Sequence, residues 1–220
     1  MTVNDVDDKM KTLISRTWDE IISKYANGAL TMSSEKTLVF QFAWHLANSK
    51  KINVEKIDFE VQLFDESFSG GKFLDLMFEG DTGLKIGIEF KFPKKGKNGY
   101  SNQTDTRVKI INDIKRVLYL KQNNKIDLGV FLMLTDEAAY TNKGKKKEHL
   151  DYATHRGKVY KKDDPMPHGA QKSKQPIKAT CDIKFQWMLR PTSSCNRGIN
   201  EGGPGKHGNP GFWSLTPVFI

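Results

Sequence analysis

The sequence predicts a mixed α/β domain, one β-sheet flanked by helices, and three observations carry that prediction. Two stretches near the N-terminus space their apolar residues three and four apart. Three stretches after them alternate apolar and polar residues, and a further helical stretch then precedes a continuous apolar run. Read in order this is α-α-β-β-β-α-β, a single domain over residues 1–220, with its core at about 30–135 and a basic remainder at 136–220.

The first helix is predicted from Met10, Leu13, Ile14, Trp18, Ile21, Ile22 and Tyr25, and Asn27–Gly28 closes it. Ser33 or Ser34 caps a second helix running to about Ala47, and "LVFQFAWHLA" is apolar nearly all round, so burial is expected. "DFEVQLF" (58–64), "KFLDLMFEG" (72–80) and "LKIGIEFKF" (84–92) read as an antiparallel meander, with "GDTG" (80–83) as the hairpin turn between the last two. In the second of these Leu74, Leu76 and Phe78 take one face and Phe73, Asp75 and Met77 the other. "TRVKIINDIKRVLYLKQ" resumes helical spacing, and "LGVFLMLT" (128–135) has the unbroken apolar character of a strand covered on both faces. Residues 137–178 are basic, rich in Gly and Pro and poorly periodic, as in a long surface excursion, whereas "CDIKFQWML" (181–189) alternates like a strand.

Charge divides the chain. Residues 1–90 hold 10 Lys/Arg against 15 Asp/Glu and residues 91–220 hold 25 against 11, so an acidic half precedes a strongly basic one. That asymmetry points to a polyanionic partner, nucleic acid before membrane. No run of 18 apolar residues is present, so no membrane span is expected. Two cysteines, Cys181 and Cys195, are too few for a disulfide scaffold, and the acidic "MTVNDVDDKM" lacks signal-peptide character, so a cytoplasmic location is expected. His149, His155, His168 and His207 show no zinc spacing with those cysteines, "GKHGN" lacks the second histidine of an HNH nuclease, and no phosphate-binding G-x-x-x-x-G-K-[ST] exists. A zinc site and a nucleotide cofactor are therefore not expected.

The chemistry concentrates in "LKIGIEFKF". Ile86, Ile88, Phe90 and Phe92 form its core face, which leaves Lys85, Gly87, Glu89 and Lys91 on the other. If the hairpin pairs about "GDTG", Asp75 falls opposite Ile88, next to Glu89. Two carboxylates that close repel unless a cation lies between them, and an oxygen-rich pair suits Mg²⁺. Lys91 is then within reach of a metal-bound water or a phosphate oxygen, the arrangement needed for metal-assisted phosphodiester hydrolysis. Gly87 either leaves room for a phosphate backbone or marks a β-bulge.

Asp75, thirteen intervening residues and then Glu89-Phe90-Lys91 resembles the PD-(D/E)xK nuclease superfamily, with Leu74 in place of the motif's proline. The resemblance covers about residues 30–135 and implies a restriction-endonuclease-like fold with an α-β-β-β-α-β core. It implies that Asp75 and Glu89 ligate Mg²⁺ (Mn²⁺ substituting) with the backbone carbonyl of Phe90, and that Lys91 orients or deprotonates the attacking water. Glu35 fits the extra carboxylate that many relatives supply from an early helix, or is an ordinary first-turn acid facing the helix dipole. Gln103 and Arg107 stand where some relatives meet phosphate, although either also suits a cap or a solvated position. Lys94, Lys95 and Lys97 in "PKKGKNGY", and Lys145, Lys146 and Lys147 in "NKGKKK", are candidates for tracking a DNA backbone.

The expected activity is that of a Mg²⁺-dependent endonuclease on double-stranded DNA, most like a stand-alone type II restriction endonuclease, with a homodimer following from a palindromic target. A repair, junction-cleaving or transposition-type nuclease of the same fold, a nuclease directed at RNA and a catalytically silent nucleic-acid-binding module remain the alternatives.

Overall fold

The computed structural model describes residues 3–49, 54–63, 73–80, 83–95, 101–167, 176–192 and 211–220. Two helices lead, α1 (Val3–Ala26) and α2 (Glu35–Asn48), followed by β1 (Val54–Val61), β2 (Leu74–Gly80) and β3 (Lys85–Lys91). Helix α3 (Gln103–Gln122) then crosses to β4 (Leu128–Thr135). A 3₁₀ turn (Ala138–Tyr140), a short helix α4 (Lys147–Asp151) and strands β5 (Val159–Tyr160), β6 (Ile183–Lys184), β7 (Trp187–Pro191), β8 (Gly211–Leu215) and β9 (Val218–Phe219) complete it. The expected element order through β4 is the observed one.

The main sheet runs β1-β2-β3-β4-β8-β7, and β9 also pairs with β4. Its pairs are antiparallel except β3–β4, which are parallel because α3 carries the chain back across the sheet. Two cores result. On one face α1 and α2 pack against Leu76, Phe78, Ile86, Ile88, Phe90, Val130 and Leu132. On the other, α3 packs against Phe131, Met133, Trp213 and Leu215. Strand β4 is thus buried on both sides, as its unbroken apolar run requires.

Helix α1 ends where Gly28 takes φ +82, and Ser34 caps α2 by accepting from the Thr37 amide. Helix α2 is not buried all round, which corrects the sequence expectation. Leu38, Val39, Phe42, Ala43 and Leu46 face the core, while Phe40 and Trp44 stay 55% and 58% exposed and stack on each other. Four residues apart, those two rings share the helix stripe opposite the core.

Strand β1 starts four residues earlier than expected, and Phe64 lies outside the described residues. Glu60 adopts φ +51, in the left-handed region, at the point where the hairpin changes face. Beyond it Val61 and its partner Leu74 join the α3 core, whereas Leu76 and Phe78 belong to the α1/α2 core. Leu74 therefore departs from the face expected of it.

Residues 137–178 are also corrected, because much of this stretch is folded. Tyr140, Tyr160, Met166 and Ile177 are buried in the α3 core, and β5 pairs with β6. "CDIKFQWML" divides into β6 and β7 instead of forming one strand.

Gly87 and Gly129 lie side by side in the β3–β4 ladder. Gly87 is neither bulged nor open to a phosphate: its register with Met77 is regular, and a Cβ there would stand 3.0 Å from both Ile126 and Leu74. Gly129 is tighter still, since a Cβ would approach Val117 to 2.2 Å. The glycine pair brings α3 down onto the sheet. Gly129→Ala is accordingly expected to destabilise the fold by about 1–3 kcal/mol through overpacking, read as a lower urea midpoint at unchanged slope.

Candidate active site

The elements above converge at the carboxyl end of β3. The observed hairpin register places Ile88 opposite Leu76, not opposite Asp75, so the expected pairing was one residue off. One step further along the same register, Asp75 comes level with Glu89. Asp75 Oδ2 accepts the Phe90 amide at 2.7 Å, and its carboxyl lies beside that of Glu89. In an extended strand the amide and carbonyl of one residue point the same way, so the Phe90 carbonyl turns toward the same side.

Glu35, at the first turn of α2, reaches this end of the sheet from the opposite layer. Its Oε2 accepts the Phe92 amide at 2.8 Å, and its Oε1 lies 3.3 Å from Lys91 Nζ. Lys91 Nζ also forms an ion pair with Asp113 Oδ2 of α3 at 2.9 Å. The four residues Asp75, Glu89, Lys91 and Glu35 are thus joined in one polar cluster.

Two members of that cluster escaped the sequence reading, Asp113 and Arg116. Arg116 holds both oxygens of Glu89, Nε to Oε1 at 2.7 Å and Nη2 to Oε2 at 2.8 Å, and Nη2 also donates to Asp113 Oδ1 at 2.6 Å. Glu89 is 0% exposed and Asp113 3%, so this pairing is made away from water. Four carboxylates face two bases here. If all were ionised, the cluster would carry two uncompensated negative charges, which in a buried site is unfavourable.

The protonation equilibria reflect that crowding. Burial raises Asp75 above the ordinary aspartate range, against the pull of the Phe90 amide, and Asp113 and Glu35 raise it further. Burial likewise pushes Glu89 well up, with Asp113 and Asp75 adding to the push and Arg116 opposing it. Two neighbouring carboxyls under those conditions favour sharing a proton. Burial alone would lower Lys91, but Asp113 and Glu35 outweigh it and hold the ammonium above the ordinary lysine value. That environment favours Lys91 as a hydrogen-bond donor and a positive charge.

Comparison of the chain with protein-family models, with curated proteins and with solved structures finds no match.

Among the described residues no three His, Cys, Asp or Glu side chains converge as a group able to hold a metal ion. The donor set that suits a hard dication is narrower, the neighbouring Asp75–Glu89 pair with the Phe90 carbonyl beside it. The excess of two negative charges that the whole cluster carries when ionised equals the charge of a divalent cation.

The remaining candidates are scattered. Lys94 turns inward, donating to the Met32 carbonyl at 2.9 Å and lying over the Phe92 ring, and burial lowers its pKa. Lys95 is half-buried, with its amide on Asp136 Oδ1, and Lys97 lies outside the described residues. Gln103 donates weakly to Glu137 at 3.4 Å. Arg107 departs most from expectation. At 1% exposure it cannot meet a phosphate, and it instead donates to Thr154 Oγ1 at 2.6 Å and to the carbonyls of Ala139 and Asn142. Lys145, Lys146 and Lys147 are exposed. No helix among the described residues is long and apolar enough to cross a membrane.

Proposed function

We propose that this chain is a Mg²⁺-dependent endonuclease that hydrolyses phosphodiester bonds in double-stranded DNA. The observation that carries the reading is the convergence of Asp75, Glu89 and Lys91 at one end of two paired strands. The flanking Glu35 and the basic second half of the chain support it. Asp75, Glu89 and the Phe90 carbonyl would hold the cation. Mg²⁺, when bound, supplies Lewis-acid polarisation of the phosphate and acidifies a water. Lys91, kept charged by its two carboxylate neighbours, orients that water or offsets the charge gathering on the phosphate oxygens. Glu35 and Asp113 fix the lysine in place. The net reaction adds water across the P–O bond, and the departing oxygen takes a proton.

Within this class the reading favours a sequence-specific restriction endonuclease acting as a homodimer, because a palindromic target matches a two-fold assembly. The deciding experiment incubates the protein with long duplex DNA, with and without Mg²⁺. Discrete fragments indicate a restriction enzyme, a smear indicates unspecific cleavage, and selective cutting of flaps or junctions indicates a repair-type nuclease. A catalytically silent DNA-binding module is the second reading, favoured by the closed Glu89–Arg116 pair. It predicts duplex binding with no cleavage under Mg²⁺ or Mn²⁺.

Lys145, Lys146 and Lys147 supply a separate prediction. Replacing all three by alanine weakens duplex binding uniformly across sequences. It also flattens the plot of log affinity against log salt by about 0.9 for each phosphate no longer neutralised, measured by fluorescence anisotropy between about 50 and 200 mM salt.

A further inference from the structure

The Arg116 clamp stands in the way of a metal at Glu89. Both oxygens of Glu89 are engaged by one guanidinium, at 2.7 and 2.8 Å, and the side chain is 0% exposed. The lone pairs that Glu89 turns toward Arg116 are closed to an incoming cation, and arginine does not leave by deprotonation, because its guanidinium is always charged. To coordinate Glu89 from that side, a cation must displace it.

The structure also contains the place to which it can move. Asp113 precedes Arg116 by three residues on α3, so the two side chains share a face of the helix. Nη2 of Arg116 already bridges Glu89 Oε2 and Asp113 Oδ1. The second oxygen of Asp113 is buried and lies 2.9 Å from the Lys91 ammonium, which leaves part of the carboxylate's four lone-pair sites unused among the described residues. Asp113 therefore has acceptor capacity left over, inside the site and beside the guanidinium.

We infer that Arg116 is the resident counter-cation of this site and Asp113 its alternative seat: a divalent cation binding at Asp75 and Glu89 displaces the guanidinium from Glu89 onto Asp113. This rests on the metal-dependent reading above. The exchange leaves the charges better matched. Fully ionised, the four carboxylates outnumber Lys91 and Arg116 by two, so a dication that enters as the proton shared by Asp75 and Glu89 leaves, while both bases stay, makes up that difference. Arg116 and the metal are then competitors for Glu89, and the apparent metal affinity is lowered by the fraction of molecules in the clamped state. Glu89 is thereby kept paired at all times, by one cation or the other, which avoids an isolated buried charge.

The test is calorimetric titration of the protein with MnCl₂, beside Arg116→Gln, Arg116→Lys and Asp113→Asn, without DNA. Removing the competitor in Arg116→Gln is expected to tighten Mn²⁺ binding by roughly 5–150-fold, the usual range for two linked sites. Asp113→Asn, which neutralises the seat, is expected to weaken it. Thermal melting supplies the second measurement. Arg116→Gln melts below wild type without metal and gains more from Mn²⁺ than wild type does. If wild type binds Mn²⁺ and Arg116→Gln binds it equally or more weakly, the displacement is overturned while the metal site stands. If neither protein binds Mn²⁺ at millimolar concentration, the metal site itself is refuted. Should Arg116→Gln fail to fold with or without Mn²⁺, Arg116→Lys decides, since its single ammonium cannot hold both oxygens of Glu89. Unchanged affinity in that variant overturns the inference.

Discussion

Mg²⁺-dependent cleavage of duplex DNA is expected to fall by about 10²–10³-fold in Lys91→Ala, the range usual for removing one preorganised donor that meets developing charge. Lys91 sits between Glu35 and Asp113, which hold its ammonium charged, and it borders the Asp75–Glu89 pair. Removing it takes away the ammonium placed to meet a phosphate oxygen there, and adds a second effect by leaving Asp113 Oδ2 without its counter-ion. Lys91→Arg would keep the charge but not the compact geometry, so only part of the activity should return. Duplex binding, measured by anisotropy with Ca²⁺ in place of Mg²⁺, should persist in Lys91→Ala, because the affinity comes from more distant basic residues. Full cleavage by Lys91→Ala would remove the catalytic assignment and move the search to another part of the surface.

The second large effect is on stability. Arg107→Ala is expected to destabilise the protein by about 2–5 kcal/mol, read from urea denaturation. The guanidinium is buried and ties the first turns of α3 to Thr154 and to the carbonyls of Ala139 and Asn142. Its loss leaves buried acceptors unsatisfied at roughly 1–3 kcal/mol each and opens a cavity where the side chain lay. The same substitution separates the two roles considered for this residue. A phosphate contact would reduce the salt dependence of DNA binding by about one phosphate's worth, whereas a structural tie leaves that slope unchanged for the folded fraction. The burial of Arg107 predicts the latter.

The layers and the site face were legible because each strand states its own parity. In "LKIGIEFKF" the apolar residues at even positions commit Glu89 and Lys91 to the opposite face whatever the strand pairs with. The turn was less informative: "GDTG" does not fix where the hairpin folds, and the pairing came out one residue off. The error was harmless to the face assignment, since parity on each strand had been set independently. Asp113 and Arg116 were missed because charged residues spaced by three on a helix read as a solvated face. A signal was nonetheless present. Asp113 follows Ile110 by three and precedes Val117 by four, so it lies within the apolar stripe of α3, where an unpaired acid would be unfavourable. Arg107 was hidden for the same reason at the start of that helix. The folded part of residues 137–178 could not be read at all. Its buried side chains, Tyr140, Tyr160, Met166 and Ile177, follow no period and meet α3 only through the tertiary fold.

Strand β4, central to the main sheet, completes its hydrogen bonding with β8 and β9, and Trp18 of α1 donates to the Leu215 carbonyl across 197 residues. During synthesis the carboxylates and their lysine can assemble while that flank of β4 is still bare, an open template for unwanted strand addition. Closing it waits on residues 211–219 leaving the ribosome. The molecule is therefore built to mature late, with its first helix clasped by a strand that emerges long after it, and pairings so distant along the chain make for slow acquisition of the native state.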